Sequence, residues 1–222
     1  MVDDTSLRIV EVLTPEQRAA LHALGTLVPF EPDQVIFREG DPSYSVLVIQ
    51  RGNVKVTKQA GDGTEVILAI RGVGEIIGDE AVLMDETRSA TMTAINEVAG
   101  LTIRADKLLN FVEENGLWPV MYRAAVRRRR QSDQRALLGR LDVKSRLARW
   151  LLELATEVGE DSEDGWLIET TLSQRDMASR IGASRDAVAI EFRKLRDQKL
   201  VSTGLHRLVL HDLEALRQLA IG

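Results

Sequence analysis

The chain has 222 residues, of which 44% are hydrophobic and 28% are charged, and its formal net charge is −5. This composition is typical of a globular protein of one or two domains and excludes a disordered chain. The absence of cysteine excludes disulfides, thiolate zinc sites and cysteine-ligated iron–sulfur clusters. No apolar run is long enough for a transmembrane helix and the acidic N-terminus lacks a signal-peptide pattern, so we expect a cytoplasmic protein without membrane contact.

The N-terminal half is predicted to begin with a helix and to continue as a β-sandwich. Thr14-Pro15-Glu16-Gln17 has the pattern of a helix start, with a Thr cap, Pro at the first helical position and Gln three residues after the cap. Short β-branched runs separated by glycines follow, and strands at this spacing are typical of a small sandwich or barrel. The predicted strands are residues 35–37, 45–50, 53–58, 65–70, 89–95 and 98–103.

A long helix is predicted after the strands. Residues 106–114 look helical, and from Trp118 the chain contains no glycine until Gly139. Steps of three and four residues define a seam that is apolar at both ends and polar in the middle, as in helices that pair with their own copy. The seam consists of Leu117, Val120, Ala124, Arg127, Gln131, Gln134, Leu138 and Leu141. We therefore predict a homodimer formed through residues 117–142.

Positive charge is concentrated in two segments of this acidic chain. Residues 1–116 contain 10 basic and 19 acidic residues, whereas residues 117–142 contain 7 and 2, and residues 173–207 contain 8 and 4. The four arginines at 127–130 cannot form one patch, because successive residues of a helix point about 100° apart. We interpret them as a solvated face that pairs with Asp133 and with nearby carboxylates of the N-terminal half. The alternative is that Arg127, on the seam, contacts an anionic ligand or destabilises the seam until a ligand binds. Arg127, Gln131 and Gln134 can equally fix the register of the paired helices, as buried polar residues do in coiled coils.

A helix-turn-helix followed by a β-hairpin is predicted near the C-terminus. Ser173 has the position of an N-cap, Gly182-Ala183 that of a tight turn, and Ser184 that of the cap of a second helix. The second helix carries one apolar stripe, formed by Val188, Phe192 and Leu195. Residues 201–210 form the predicted hairpin, which is the wing of a winged helix. In such motifs the second helix enters the DNA major groove.

The exposed side chains of the second helix suit the reading of DNA. Arg185 can donate two hydrogen bonds to guanine, and Asp186 can accept one from cytosine N4. Ser184 and Arg193 suit phosphate contacts, and Ile190 is either a thymine-methyl contact or an exposed apolar residue. The predicted DNA-binding residues are Ser173, Gln174, Ser184, Arg185, Asp186, Ala189, Ile190, Arg193 and His206. A helical domain with ordinary surface arginines is the alternative.

An anion site is predicted between two strands. A glycine that opens a short helix lets backbone N–H groups approach a phosphate. An arginine ten residues later can bind the phosphate with two hydrogen bonds, and a neighbouring hydroxyl adds a donor. The residues of this pattern are Gly78, Asp79, Glu80, Ala81, Arg88 and Ser89.

In their order along the chain these motifs resemble the Crp/Fnr family of bacterial transcription regulators, over nearly the whole length. The resemblance is carried by Gly52, Gly74-Glu75, Gly78…Arg88-Ser89, Leu141-Asp142-Val143 and Ser173…Gly182-Ala183-Ser184-Arg185-Asp186…Leu195. It implies an α+β fold with a cyclic-nucleotide-binding β jelly roll at residues 1–116. A central dimerisation helix at 117–142 and a winged helix-turn-helix at 143–222 complete the implied domains.

The resemblance also implies roles for individual residues. Gly78, Arg88 and Ser89 are expected to contact a cyclic phosphate, and Gln131 or Ser132 a base. Asp79 stands where the family's cyclic-AMP sensors have glutamate, and Gln131-Ser132 where they have Thr-Ser. The effector is therefore left open between cyclic AMP and another cyclic nucleotide.

The expected function is a non-enzymatic, homodimeric regulator that binds a two-fold symmetric operator in double-stranded DNA. No residue pattern resembles a catalytic constellation or a metal site, and no cofactor is required. RNA polymerase is a further expected partner. Two alternatives stay open: a ligand-independent regulator with a vestigial pocket, and a cyclic-nucleotide-binding module that acts on a partner protein.

Overall fold

The computed structural model describes residues 8–61, 63–139 and 141–221. They form two compact units. The described residues within Met1–Lys58 and Arg71–Gln134 make up the first, and those within Gln59–Ile70 and Arg135–Gly222 the second. None of the described helices is long and apolar enough to cross a membrane.

The N-terminal strands form two antiparallel four-stranded sheets. In chain order the strands are β1 (Thr26–Phe30), β2 (Val35–Phe37), β3 (Ser45–Arg51), β4 (Val54–Gln59), β5 (Glu65–Arg71), β6 (Ile76–Ile77), β7 (Thr91–Ala94) and β8 (Val98–Arg104). The strand orders are β1-β8-β3-β6 and β2-β7-β4-β5. The predicted sandwich is confirmed. The sequence missed β1 because Pro29 lies in it, which is tolerated since β1 is an edge strand.

The central strand β3 shows why its sequence is a continuous apolar run. Val46 and Val48 belong to a core cluster shared with helices, whereas Leu47 and Ile49 belong to a second cluster with Val54. Successive side chains of a strand point to opposite faces, and all four of these β3 side chains have no exposed surface. Both faces of β3 are therefore buried.

Helices flank and follow the sandwich. They are α1 (Ile9–Val12), α2 (Pro15–Ala23), α3 (Asp79–Met84), α4 (Ala105–Glu114) and α5 (Trp118–Leu138). The predicted start of α2 is confirmed: the Thr14 hydroxyl accepts a hydrogen bond from the Gln17 N–H, and the Gln17 side chain accepts one from the Thr14 N–H. These two bonds satisfy N–H groups that have no partner within the helix.

The apolar N-terminal part of the predicted seam is not available to a second copy. Leu117, Val120 and Ala124 are each at most 7% exposed, and the first two pack in the core cluster that contains Val46 and Val48. The spacing correctly identified an apolar face of α5 but assigned it to the wrong partner. Helix periodicity shows which face of a helix is apolar, but it does not predict which other element packs on that face.

The C-terminal elements form a small mixed domain. They are α6 (Val143–Val158), β9 (Glu160–Ser162), β10 (Gly165–Glu169), α7 (Gln174–Ile181), α8 (Arg185–Asp197), β11 (Val201–Gly204), β12 (Arg207–Leu210) and α9 (Leu213–Ile221). The strand order is β11-β12-β10-β9. The predicted helix-turn-helix and wing are confirmed. The hairpin β9–β10 within the acidic segment and the terminal helix α9 were not predicted.

Candidate ligand-binding and nucleic-acid-binding sites

A tight turn at Gly78 begins the candidate ligand site. Gly78 has φ +79° and immediately precedes α3. A Cβ atom at this position would lie 2.5 Å from Nη1 of Arg88 and 2.9 Å from Cε2 of Phe37. Glycine is therefore required here twice, for its left-handed backbone and for the close approach of the arginine.

Arg88 is a buried cation held mainly by neutral groups. It is 4% exposed, its Nη1 donates to the Gly78 carbonyl oxygen (2.8 Å), and its Nη2 donates to the Ser45 carbonyl oxygen (2.5 Å). The guanidinium carbon lies 3.9 Å from the centre of the Phe37 ring, a cation–π contact. Among the described residues, its Nε has no hydrogen-bond partner.

The electrostatics of Arg88 favour an anion. Burial lowers the pKa of Arg88, and the nearby Asp41 carboxylate opposes this shift. The guanidinium nevertheless keeps its charge, as arginine does in proteins. A buried charge is costly unless it is paired. Two of the five guanidinium N–H groups are used by the carbonyls, so donors are left for the oxygens of an anion.

A second polar contact links the short helix α3 to the long helix α5. Arg128 Nη2 lies 2.8 Å from Asp79 Oδ2, and the side chains are 26% and 6% exposed. The interpretation of the arginine run as a solvated face is thus wrong about the exposure of Arg128 but right about its partner, which is a carboxylate of the N-terminal half. It holds for Arg129, which is 84% exposed and lies 3.7 Å from Asp133. The sequence contains no signal for the Arg128–Asp79 pair.

The other predicted ligand-site residues are placed differently. Ala81 is buried in α3, whereas the side chains of Glu80 and Ser89 are exposed. Gln131 is half-buried and Ser132 is exposed, both on α5. The structure therefore brings together Gly78, Asp79 and Arg88 from the predicted set, and adds Arg128 and Phe37, which the sequence analysis missed.

The helix-turn-helix is formed by the caps that the sequence predicts. The Ser173 hydroxyl accepts a hydrogen bond from the Asp176 N–H at 3.2 Å, and the Ser184 hydroxyl accepts one from the Ala187 N–H at 3.1 Å. Gly182 ends α7 with φ +63°, a conformation that favours glycine. These local contacts set where α8 begins.

Helix α8 separates a buried face from an exposed one. Val188, Phe192 and Leu195 are at most 2% exposed. The side chains of Ser184, Arg185, Asp186, Ile190 and Arg193 are exposed, and Ala189 is half-buried. In the part of the chain that the structure describes, Arg185, Asp186 and Arg193 form no ion pair. Their charged groups are free for a ligand such as DNA.

Arg146 on α6 holds the turn of the helix-turn-helix. Its Nη1 donates to the Ile181 carbonyl oxygen at 2.6 Å and to the Gly182 carbonyl oxygen at 3.0 Å. The last carbonyls of a helix lack partners within the helix, and a guanidinium satisfies them and interacts favourably with the helix dipole. The sequence analysis missed this residue, because it lies 35 positions before its partner.

The wing turn exposes its side chains. Leu205 is 90% exposed and His206, with φ +53°, is exposed as well. The His206 carbonyl oxygen accepts a hydrogen bond from the Thr170 N–H at 2.9 Å, which ties the turn to the segment before α7. Gln174, the first residue of α7, is half-buried.

Two family models match the chain. Residues 27–115 match the cyclic nucleotide-binding domain, and residues 145–219 match the Crp-like helix-turn-helix domain. The chain is 30% identical to the CRP-like cAMP-activated global transcriptional regulator of Mycobacterium tuberculosis, over 81% of each protein. A solved structure of FixK2 from Bradyrhizobium japonicum is similar with a TM-score of 0.75 and 21% identity, covering 88% of this chain and 96% of that one.

A further relative is a longer protein that is similar to this chain over one segment only. Acetyltransferase Pat of Mycolicibacterium smegmatis is 34% identical over 125 residues, which are 55% of this chain and 37% of that protein. The similarity to that enzyme thus covers a minor part of it.

Proposed function

This chain belongs to the Crp/Fnr family of transcription regulators, and we propose that it is a homodimeric, sequence-specific DNA-binding regulator controlled by a cyclic nucleotide. It has no enzymatic activity of its own in this proposal. The observation that carries ligand control is Arg88: a buried cation beside a glycine turn, bonded to two carbonyls, with an unpartnered Nε among the described residues.

The phosphate of the ligand binds at Arg88 and Gly78. Carbonyl oxygens neutralise no charge and Asp41 acts on Arg88 only through its electrostatic field, so a phosphate at this place supplies a negative charge in direct contact and accepts the unused N–H groups. The similarity to a cAMP-activated regulator makes cyclic AMP the first candidate, with other cyclic nucleotides next.

Ligand binding is coupled to α5 through Arg128. Asp79 adjoins Gly78, and its carboxylate is bonded to Arg128 of α5. A ribose hydroxyl at Asp79, or a phosphate near Arg128, competes for this contact and changes the relative stability of two positions of α5. The ligand then controls DNA affinity only to the extent that it binds the DNA-competent state more tightly.

The exposed face of α8 reads the operator. Arg185 donates to guanine O6 and N7, and Asp186 accepts from cytosine N4. Ser184 and Arg193 bind phosphates, and His206 of the wing lies near the sugar–phosphate backbone of the DNA. Two such helices in a dimer contact half-sites about 34–36 Å apart, the spacing known for the type member of this family. Binding is therefore expected to weaken steeply with salt.

The second copy binds the exposed face of α5. Trp118 and Tyr122 are 43% and 71% exposed, and with the exposed Ala125 they occupy positions i, i+4 and i+7 of one helix face. Large exposed aromatic side chains in such a row favour a protein partner. RNA polymerase is a further partner in this proposal, because the protein acts on transcription.

Calorimetry with cyclic AMP tests ligand control. We expect saturable binding to the wild-type protein and at least about tenfold weaker binding to Arg88→Lys, because an ammonium cannot form the paired hydrogen bonds of a guanidinium. Arg104→Lys is the matched control, since Arg104 is exposed and bonded to Asp106. An operator affinity that stays the same at saturating cyclic AMP excludes cyclic AMP as the effector.

A ligand-independent regulator is the second candidate, and one observation favours it. Arg88 is already bonded to Gly78 and Ser45, and Asp79 to Arg128, so the site is partly satisfied by the protein itself. Operator binding without any nucleotide, and no heat with cyclic AMP or cyclic GMP, would support this candidate.

A cyclic-nucleotide-binding module that acts on a partner protein is the remaining alternative. It is tested by a mobility shift with Arg185→Ala. Loss of specific DNA binding with unchanged thermal stability supports the regulator, whereas the absence of any preferred duplex for the wild-type protein supports the module.

A further inference from the structure

Ile190 is an exposed apolar side chain on the helix that carries the proposed DNA-reading residues. It is 52% exposed, although its neighbours on the other face, Val188 and Phe192, are at most 1% exposed. Among the described residues from Asp142 onward, the exposed large apolar side chains are Ile190, Leu205 and Ile221. Two of these three thus lie on α8 and in the turn of the wing.

Ile190 shares a stripe with two charged residues of α8, Asp186 and Arg193. Asp186, Ile190 and Arg193 stand at positions i, i+4 and i+7 of α8, which places them on one helix face. Within the described residues neither Asp186 nor Arg193 forms an ion pair. When Asp186 contacts a base edge and Arg193 contacts a phosphate, Ile190 therefore also faces the base edges in the major groove.

We propose that Ile190 determines sequence specificity by packing on the C5 methyl group of a thymine in each half-site, an inference that rests on the DNA-reading function proposed above. Thymine is the standard base that presents a methyl group in the major groove. Ile190 has no hydrogen-bonding group, so a base with a polar edge at this place loses its water without gaining a partner.

The geometry of α8 also predicts where this thymine lies. A helix rises 1.5 Å per residue, so Ile190 lies about 6 Å along the axis from Asp186. Base pairs follow each other at about 3.4 Å. The thymine is therefore expected one or two base pairs from the cytosine whose N4 amino group donates to Asp186.

The test removes a single methyl group from the DNA. Duplexes that bind the full-length protein are first selected from a random pool, with and without cyclic AMP, and each thymine of the selected site is then replaced by deoxyuridine. We expect one thymine per half-site at which the replacement weakens binding about fourfold, the effect of losing one buried methyl group. Replacement in both half-sites is expected to weaken binding about fifteenfold.

Three variants assign this effect to Ile190. Ile190→Ala is expected to bind the thymine and deoxyuridine duplexes equally, and Ile190→Val to keep part of the difference. Leu205→Ala is the matched control, an exposed apolar residue of the wing, and is expected to keep the whole difference. Circular dichroism melts verify that each variant is folded.

The outcomes separate this inference from the function on which it rests. If no duplex is enriched, both the DNA-reading function and the role of Ile190 are rejected. If a duplex is enriched but no thymine is sensitive to deoxyuridine, or if the sensitivity persists in Ile190→Ala, the regulator stands and the role of Ile190 is overturned.

Discussion

Arg128 of α5 lies 2.8 Å from Asp79, the residue that follows the glycine turn of the candidate ligand site. The two residues are 49 positions apart in the sequence. Asp79 is buried, so its carboxylate depends on this partner. The pair gives the ligand site a direct connection to the helix on which we place the dimer interface.

Removal of Arg128 is expected to destabilise the protein. Arg128→Ala leaves the buried Asp79 carboxylate without its partner, and we expect a loss of about 2 kcal/mol, reduced from the fully buried case because Arg128 is 26% exposed. Asp79→Asn in the Arg128→Ala background is expected to recover part of the loss. Thermal unfolding of the two single variants and the double variant measures the coupling. Additive effects would contradict a direct interaction.

Gly78→Ala is expected to lower stability and to abolish nucleotide binding. The new Cβ lies 2.5 Å from the Arg88 guanidinium, so the guanidinium must move, in addition to the strain of a left-handed alanine. Gly63→Ala is the matched control, because Gly63 has the same φ of +79° and the added atom has no described residue beyond its chain neighbours within 4 Å. We expect Gly63→Ala to lower the free energy of unfolding by about 1 kcal/mol. Gly78→Ala is expected to lower it by roughly a further 1–3 kcal/mol. Equal losses in urea unfolding would show that the arginine accommodates the methyl group.

Arg146→Met is expected to weaken operator binding by at least about tenfold without changing nucleotide binding. The substitution removes two hydrogen bonds to the carbonyls at the end of α7, each worth about 1 kcal/mol, and so loosens the turn that positions α8. Arg149→Met on the same helix is the control, since Arg149 is 49% exposed and makes only a 4.0 Å contact with Glu153. Fluorescence anisotropy on labelled operator measures both variants. An unchanged affinity would exclude a positioning role for Arg146.

The N-cap of α6 is expected to make stability depend on pH. The hydrogen bond that the Ser145 N–H donates to the Asp142 carboxylate (2.7 Å) holds the pKa of Asp142 below its ordinary value of 3.8. A lowered pKa in the folded state means that the charged cap stabilises the protein above about pH 3.8 and that this stabilisation is lost as the pH falls through the lower folded value.

Asp142→Asn isolates this contribution, because an amide oxygen still accepts the Ser145 N–H but does not titrate. The wild-type protein is expected to melt at a higher temperature than the variant between pH 5 and pH 7, and the difference is expected to shrink below the ordinary pKa. Melting curves of both proteins from pH 7 down to about pH 3 are the measurement. A difference that is independent of pH would exclude the charge of Asp142 as its cause.

Tyr122→Glu is expected to disrupt the proposed dimer. A charged side chain in the middle of the Trp118–Tyr122–Ala125 row cannot be buried by a second copy without a large desolvation cost. Sedimentation velocity at micromolar concentration is expected to show a monomer for Tyr122→Glu and a dimer for the wild-type protein. Tyr44→Glu, at a tyrosine that is 78% exposed in the β-sandwich unit, is expected to remain dimeric.

The sequence by itself was sufficient for features that depend on neighbouring residues. The caps Thr14, Ser173 and Ser184 are recognisable because each bonds to an N–H two or three residues away. Strands β2 to β5, β7 and β8 were located because β-branched runs end at glycines and turns. The buried stripe of α8 follows from its 3.6-residue period, and the succession of these elements was enough to indicate the fold class.

Only the tertiary structure decided which of these elements cover one another and which distant charges pair. It buried Leu117 and Val120 in the core of their own unit rather than in a dimer seam. It also brought Arg128 to Asp79 and Arg146 to the turn at Gly182. The helical or strand period of a sequence identifies an apolar face, but it does not identify the partner of that face or of a charged residue. The partner is set by packing between segments that lie tens of residues apart, and for such segments the separation in the sequence does not predict the distance in space.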